Sequence, residues 1–367
     1  MRKCTLALAA ILTAASFAAR AEIPIGTAGP MTGDYAAFGM QLQRGAEAAV
    51  ADINAAGGVN GEPLELIVGD DACDPKQATA VANQMVSQGV VFVAGHFCSG
   101  STMPASDVYG EEAILQITPS STNPAVTEGP AAKGVVTIFR TCGRDDQQGG
   151  FAGRWVAENY MGGKVAILHD KSTGGKGYAD IVKATMNALG LQETLYEAYT
   201  AGEQDYTALV SKLKAAEIEV IVLGGYHTEA ALIIRQAQEQ GYKPQLIGPD
   251  SFNTQELWTI AGEAAEGVMF SNAADPRRFP TAAAVAERIR AGGFEPEGYT
   301  LTNYAAVQVW ALAANEAGTT DALAVAAKLR EHPWDTIIGT LEFDEKGDLK
   351  TAAYVWYLFK DGGYEQM

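Results

Sequence analysis

Short apolar runs alternate with longer amphipathic segments along most of this 367-residue chain. Runs such as LELIV (64–68) and VIVLGG (220–225) have the length and composition of buried strands. The segments between them repeat apolar residues at helical spacing and are long enough to act as crossover helices. This alternation predicts an α/β fold in which parallel sheets are covered by helices on both faces.

The alternation forms two series that divide near residues 140–144. The runs that predict strands are IPIGTA (23–28), LELIV (64–68), VVFVA (90–94), AILQI (113–117) and VVTIF (135–139) in the first series, and VAILH (165–169), LYEAY (195–199), VIVLGG (220–225) and LIGPD (246–250) in the second. Three helices and a last strand, AYVWYLF (353–359), follow. Because no linker rich in Pro, Gly or Ser separates the series, we expect two lobes that the chain crosses between more than once, with a ligand crevice between them.

The first 21 residues have the pattern of a secretory signal peptide. Arg2 and Lys3 precede a run of small and apolar residues that ends at the A-x-A motif of residues 19–21. We expect cleavage after Ala21, which also removes Cys4, and export to a bacterial periplasm. The remaining chain has 23 basic and 44 acidic residues, so nucleic acid and anionic membrane surfaces are not expected partners.

Three cysteines remain after the signal peptide: Cys73, Cys98 and Cys142. In an oxidising compartment, two are expected to pair. Cys73 and Cys98 each follow a predicted strand, and their separation of 25 residues fits one β–α–β step between neighbouring strand ends. We therefore predict a Cys73–Cys98 disulfide and a buried free thiol at Cys142. No metal site is expected, since no CxxC or HxxxH spacing occurs.

Two clusters of hydroxyl residues follow successive strands of the first series. The clusters are Ser99, Ser101 and Thr102 after one strand, and Ser120, Ser121 and Thr122 after the next. At the carboxyl ends of parallel strands such groups would suit a small carboxylate. They are equally compatible with helix caps and turns, in particular before a helix predicted over about residues 104–112.

Four further residues are candidates for a ligand pocket. Asp250 ends a predicted strand of the second series and could pair with a ligand ammonium, although a turn role is the simpler reading. Phe38, Tyr226 and Tyr299 stand at turn positions, where aromatic rings could wall an apolar ligand group or merely pack.

Signatures of catalysis are missing from the sequence. There is no GxSxG elbow, no GxGxxG before a helix and no complete phosphate loop around residues 172–177. No cofactor is therefore expected. A secreted amidohydrolase that uses Ser99 or Cys142 as its nucleophile is the enzymatic alternative.

Many motifs in order resemble the leucine/isoleucine/valine-binding proteins, the periplasmic solute receptors of branched-chain amino-acid ABC importers. They include GPMTG, AVADINAAGGVNG, DDACDPKQA, GHFCSGST, ITPSST, FRTCGRDDQQG, GGYHTEA and FDEKGDLK, and they cover the whole mature chain. The resemblance implies the type I periplasmic binding fold, with two doubly wound lobes joined by three crossings. The lobes would be residues 22–141 plus 275–348 and residues 142–274 plus 349–367.

The resemblance also implies roles for individual residues. Ser99 and Thr122 would bind an α-carboxylate with help from backbone groups at Ser120 and Ser121, and Asp250 would bind the ammonium group. Phe38, Tyr226 and Tyr299 fall on side-chain pocket positions, and Cys73 and Cys98 on those of the family disulfide. The protein would then be a monomer that captures an amino acid and presents it to membrane permease subunits.

Two departures from the family pattern leave the ligand open. Strict leucine binders usually have Glu where this chain has Asp250, and an aromatic residue where it has Gly174. Relatives that share the RTCGRDDQQG motif and the Asp look like receptors for γ-aminobutyrate and small neutral amino acids. A branched-chain or other small neutral amino acid is the expected ligand, and γ-aminobutyrate, an amide or urea is the alternative.

Overall fold

The computed structural model describes residues 22–367 of the chain, so the predicted signal peptide and Cys4 lie outside the described residues. The first sheet is wholly parallel and has the spatial order β2-β1-β3-β4-β5. Its strands are β1 (Ile23–Gly29), β2 (Leu64–Asp70), β3 (Phe92–Gly95), β4 (Leu115–Thr118) and β5 (Ile138–Arg140).

The second sheet contains the next five strands and the end of the chain. These strands are β6 (Val165–His169), β7 (Leu195–Ala198), β8 (Val220–Gly224), β9 (Gln245–Gly248) and β10 (Met269–Asn272). A separate hairpin, β11 (Trp334–Thr336) and β12 (Gly339–Leu341), precedes β13 (Val355–Lys360) and β14 (Gly363–Gln366). The spatial order is β14-β13-β10-β9-β8-β6-β7, with β13 and β14 antiparallel. The last two strands thus add an antiparallel edge to an otherwise parallel sheet.

Helices cover both faces of each sheet. They are α1 (Ala36–Ala55), α2 (Pro75–Ser87), α3 (Ser99–Glu111), α4 (Ala125–Ala132), α5 (Asp145–Asn159), α6 (Thr173–Ala188), α7 (Thr207–Ala215), α8 (His227–Glu239), α9 (Glu256–Ala261), α10 (Ala283–Ala291), α11 (Thr300–Ala317) and α12 (Ala322–Glu331). Helix α11 returns to the first sheet, where the Trp310 ring stacks on Phe92 with centroids 4.7 Å apart. The chain thus crosses between the sheets three times, after β5, after β10 and after β12.

Helix α3 begins five residues earlier than the sequence predicts. Pro104 was expected near the start of the helix, but it lies inside it, with Ser99 as the first helical residue. The helix runs through Pro104, which has no N–H to donate to Gly100 C=O, so one helical hydrogen bond is missing there. The hydroxyl cluster that follows β3 is consequently the N-terminus of a helix and not a loop.

Helix α5 was not predicted because its sequence is rich in glycine, which disfavours isolated helices. The structure shows what the glycines do: a Cβ atom on Gly149 would lie 2.8 Å from the Ile181 side chain, and one on Gly153 would lie 2.7 Å from Thr185. Helices α5 and α6 approach each other too closely for larger residues at these positions.

The predicted Cys73–Cys98 disulfide is present, with Cα atoms 5.5 Å apart. The geometric reason given for it needs correction, because β1 lies between β2 and β3 and the two strands are not neighbours. The loop after β2 bends over the end of β1, where Asp71 N–H donates to Gly29 C=O over 3.0 Å. This bend brings Cys73 to the start of α3.

Cys142 is free, as predicted, but it is partly and not fully buried. Its thiol donates a weak hydrogen bond to Ser121 C=O, with Sγ and the oxygen 3.6 Å apart. Burial raises the pKa of this thiol far above its ordinary value. The thiol is therefore protonated and a poor nucleophile at neutral pH.

Removing the disulfide tests how the first lobe is braced. We expect the Cys73→Ala/Cys98→Ala variant to lose about 3 kcal/mol of unfolding free energy, because the closed loop no longer restricts the unfolded chain. Urea unfolding measures the loss, with Cys142→Ala as the control. Unfolded, non-reduced wild-type protein should expose one thiol to a labelling reagent, and three thiols would contradict the pairing.

Candidate functional site

The carboxyl ends of strands from both sheets face each other across a small cavity of about 40 Å³. Six of the eight predicted ligand residues line it: Ser99, Ser120, Thr122, Tyr226, Asp250 and Tyr299. Phe38 and Ser121 do not. The remaining lining residues are Phe97, Asp145, Gly174, Gly175, Tyr178, Gly225, Pro249 and Ser251.

The first lobe contributes hydroxyl groups and a helix N-terminus to the cavity. Ser99 opens the 13-residue helix α3, so free backbone N–H groups and the positive end of the helix dipole lie beside its hydroxyl. Asn123 N–H donates to Ser99 Oγ over 3.3 Å, which links the two hydroxyl clusters. Ser120 Oγ donates to Phe97 C=O over 3.0 Å. This wall of the cavity suits an anionic group.

Ser121 holds the two loops together and does not face the cavity. Its hydroxyl lies 2.6 Å from Thr102 Oγ1 and donates to Phe97 C=O over 2.9 Å. Its backbone N–H donates to Thr118 Oγ1 over 3.0 Å and is thus already used. A sequence pattern cannot separate this structural serine from its neighbours, because all of them stand at strand ends.

A buried arginine supports the same loop from behind. Arg140 donates to Ser121 C=O over 2.8 Å and to Asn123 C=O over 3.2 Å. Its Nε atom lies 2.7 Å from Asp348 Oδ1, in an ion pair that is almost entirely buried. Asp348 also pairs with Arg144 over 2.6 Å. Since Asp348 lies between β12 and β13, where the chain makes its third crossing, this network couples the hydroxyl wall to two of the crossings.

The second lobe contributes a buried carboxylate. Asp250 follows β9 and is 7% exposed. Burial raises the pKa of Asp250 to about 6, against the lowering effect of a hydrogen bond that the Tyr299 hydroxyl donates over 2.9 Å. Tyr299 precedes α11, which packs on the first sheet, so this bond crosses between the lobes. The carboxylate faces the cavity and could accept a cation there.

Aromatic rings form one wall of the cavity in two layers. Phe97 lines it, and Phe38 stacks behind Phe97 with ring centroids 4.5 Å apart. Phe38 is fully buried, so in this structure it supports the wall and does not form it. Tyr226, from the second lobe, lines the cavity and donates to Cys98 Sγ over 3.0 Å. The predicted disulfide therefore also forms part of the contact between the lobes.

Asp145 is the site residue that sequence reasoning missed most clearly. It starts α5 directly after the first crossing, lines the cavity and is 1% exposed. Burial raises the pKa of Asp145 to about 7, the Thr122 hydroxyl opposes this, and the charge of Asp250 adds to it. Its motif, RTCGRDDQQG, was noted for its resemblance only. The sequence signal that could have identified Asp145 is the pair of acidic residues, Asp145 and Asp146, just after the predicted division between the two series.

The described residues show no group of three or more side chains that could hold a metal ion. In the same residues no helix has both the length and the apolar character needed to cross a bilayer.

Comparison with known proteins agrees with this two-lobed geometry. A family model for periplasmic binding proteins matches residues 22–363. The chain belongs to the periplasmic binding protein family. An "Amino acid binding protein" of Pseudomonas aeruginosa is 50% identical over all of this chain and 98% of the relative. "Leu/Ile/Val-binding protein homolog 1" of Brucella suis is 48% identical over 97% of this chain and 95% of the relative.

Solved structures of periplasmic binding proteins confirm the predicted type I fold. One is the branched-chain amino acid transporter substrate binding protein LivJ of Streptococcus pneumoniae, in complex with isoleucine. It is 26% identical, superposes with a TM-score of 0.83, and covers 95% of this chain and 99% of its own. Members of this family bind solutes without turnover. The enzymatic alternative, a secreted amidohydrolase with Ser99 or Cys142 as its nucleophile, is therefore not supported.

Two adjacent glycines at the start of α6 should respond differently to substitution. A Cβ atom on Gly174 would meet only Ser99 Oγ, 3.8 Å away, whereas one on Gly175 would lie 2.8 Å from Gly224 C=O. We expect Gly174→Ala to leave the melting temperature unchanged and Gly175→Ala to cost more than about 1 kcal/mol. Thermal unfolding of both variants measures this, and equal destabilisation would contradict the packing described.

Proposed function

We propose that this protein is the periplasmic substrate-binding component of an ABC importer and binds a small neutral amino acid between its lobes. The observation that carries this proposal is the charge pattern of the cavity. A helix N-terminus with hydroxyl groups lies on one side, and a buried carboxylate lies on the side of the opposite lobe. A zwitterion fits this pattern when its carboxylate faces the hydroxyl groups and its ammonium faces Asp250. The similar proteins named above are an "Amino acid binding protein" and a "Leu/Ile/Val-binding protein homolog 1".

The carboxylate of the ligand would bind to the first lobe. Ser99 and Thr122 offer hydroxyl groups at the cavity surface, and the first turn of α3 offers backbone N–H groups. Hydrogen bonds to an ionised acceptor are about twice as strong as neutral ones. Ser120, which also lines the cavity, completes this clamp, whereas Ser121 supports it through its bond to Thr102.

The ammonium group of the ligand would bind to Asp250. Without a cation, closing the lobes leaves this carboxylate buried and only partly compensated by Tyr299. A ligand ammonium replaces the lost hydration of the carboxylate, and the attraction between the two charges is stronger in a cavity without water. Phe97, Tyr226 and Tyr299 then surround the side chain of the ligand.

Closure of the lobes around the ligand would be the signal for transport. The lobes we propose are residues 22–141 plus 275–348 and residues 142–274 plus 349–367. Direct contacts hold them together, such as Asn123 Nδ2–H donating to Thr173 C=O over 3.0 Å and Thr228 Oγ1–H donating to Asp34 C=O over 3.2 Å. A ligand that touches both lobes shifts the equilibrium towards this form by its differential affinity. The closed monomer would then dock on permease subunits at the periplasmic face of the inner membrane.

The same geometry keeps γ-aminobutyrate as a second candidate ligand. Asp250 has a shorter side chain than Glu, so its carboxylate lies farther from the clamp at the same backbone position. Gly174 lines the cavity opposite Ser99 and leaves that wall without a side chain. Both features provide room for an amine that is more distant from its carboxylate.

Calorimetric titration tests the proposal. The panel is L-leucine, L-valine, L-alanine, L-threonine and γ-aminobutyrate, with (S)-lactate as the control that lacks an amine. At least one of the five amines should bind, lactate should not, and Asp250→Asn should weaken binding tenfold or more, since the ammonium loses a charged acceptor.

Ser99→Ala is the companion variant for the clamp. Ser106→Ala is its matched control, because Ser106 is a serine of the same helix that does not line the cavity. Ser99→Ala should weaken binding and Ser106→Ala should not. Full affinity in Asp250→Asn would disprove the ammonium role, and failure of every amine to bind would disprove the proposed function.

A further inference from the structure

The cavity has one carboxylate more than a single ion pair requires. Asp145 and Asp250 both line it, and no Lys, Arg or His is among the described lining residues. The guanidinium of Arg140, whose charge acts on Asp145, is held by Asp348 and by backbone carbonyl groups of the hydroxyl loop. The excess negative charge of the closed cavity is thus left for a ligand to balance.

The side chain of Asp145 has an unsatisfied oxygen. Its Oδ2 atom is buried and has no hydrogen-bond partner among the described residues. Leaving a carboxylate oxygen in this state costs free energy that an exposed residue would not lose. The structure therefore retains an unsatisfied acceptor on a residue that lines the cavity.

A structural role at the start of α5 does not explain this arrangement. Acidic residues in the first turn of a helix are stabilised by its dipole. Asp146, the next residue, already occupies that turn with its side chain 48% exposed and paired to Arg144 over 2.9 Å. A helix dipole needs no second carboxylate that points into a closed cavity, and burial of Asp145 works against such a gain.

We propose that Asp145 is a second acceptor for the ligand ammonium and that, together with Asp250, it selects primary amines. This rests on the proposed function. A primary ammonium carries three N–H donors, so it can bond to both carboxylates and to one further oxygen. A secondary ammonium, as in an N-methyl amino acid, has two donors and places a methyl group against one of the acceptors.

Other titratable groups also interact with the two carboxylates. They are Arg140 from β5, Cys142 from the first crossing, Asp146 from α5, Tyr178 from α6, Tyr226 before α8, Tyr299 before α11 and Tyr354 from the third crossing. Burial raises the pKa of each of these tyrosines and of the thiol, so they stay neutral. Asp145 and Asp250 are therefore the groups whose ionisation depends on whether an ammonium is bound.

The test compares wild type with Asp145→Asn and with Asp146→Asn, which removes the other first-turn carboxylate of α5. Calorimetry at pH 7 uses the pairs L-valine and N-methyl-L-valine, L-alanine and N-methyl-L-alanine, and γ-aminobutyrate and 4-(methylamino)butyrate. Wild type should prefer the primary amine of a bound pair at least tenfold. Asp145→Asn should lower the affinity for the primary amine at least tenfold and reduce the preference for it over the N-methyl amine at least threefold. Asp146→Asn should change neither the affinity nor the preference.

Proton exchange separates this role from that of a neutral buried acid. Wild-type titrations in phosphate and in Tris at pH 7 should show no proton uptake on binding, because both carboxylates are ionised once the ammonium is bound and a partly protonated one would release its proton. Proton uptake on binding, or unchanged affinity in Asp145→Asn, would overturn the inference while the proposed function stands. Absence of binding by all five primary amines of the earlier panel to wild type would overturn the proposed function itself. Thermal unfolding of the ligand-free variants checks that they are folded. If Asp145→Asn does not fold, the wild-type binding enthalpies in the two buffers test the inference instead.

Discussion

Burial of negative charge between the two lobes is the constraint on which this structure depends. Asp145 and Asp250 are each less than a tenth exposed, and the described residues that line their cavity include no cation. Moving a carboxylate out of water is costly unless a partner replaces its hydration. Closure is therefore favourable when a cationic group enters with it, which makes the protein a receptor that responds to its ligand.

The rest of the fold holds the opposite end of the cavity in place. The Cys73–Cys98 bridge fixes the loop after β2 to the start of α3, and Ser121 joins that helix to the next strand end. Arg140 then connects this loop to Asp348 at the third crossing through a buried ion pair. Removing one partner of such a pair leaves an unpaired buried charge, at a cost of about 3–5 kcal/mol. The hydroxyl wall and the crossings are thus joined in one network of contacts.

Much of this architecture could be predicted from the sequence, because strand and helix periodicities are local properties. The disulfide was predicted correctly although β1 separates the two strands, since the loop at residues 70–74 bends over its end. The start of α3 was missed because Pro104 was taken as a boundary, and α5 because its glycines disfavour a helix in isolation. In both cases tertiary packing outweighs local propensity.

The site was predictable only in part. Ser99, Thr122 and Asp250 stand at strand ends, which parallel sheets bring to one edge. The inward position of Ser121, the second-layer position of Phe38 and the approach of Asp145 depend on how the lobes meet, and no local pattern encodes this.

Mass spectrometry of the small molecule that co-purifies with the protein from the periplasm tests the central claim most directly. A cavity with an anion-binding wall and buried carboxylates predicts a small zwitterion that carries a primary amine and a carboxylate. A bound neutral amide, urea or an acid without an amine would contradict this account.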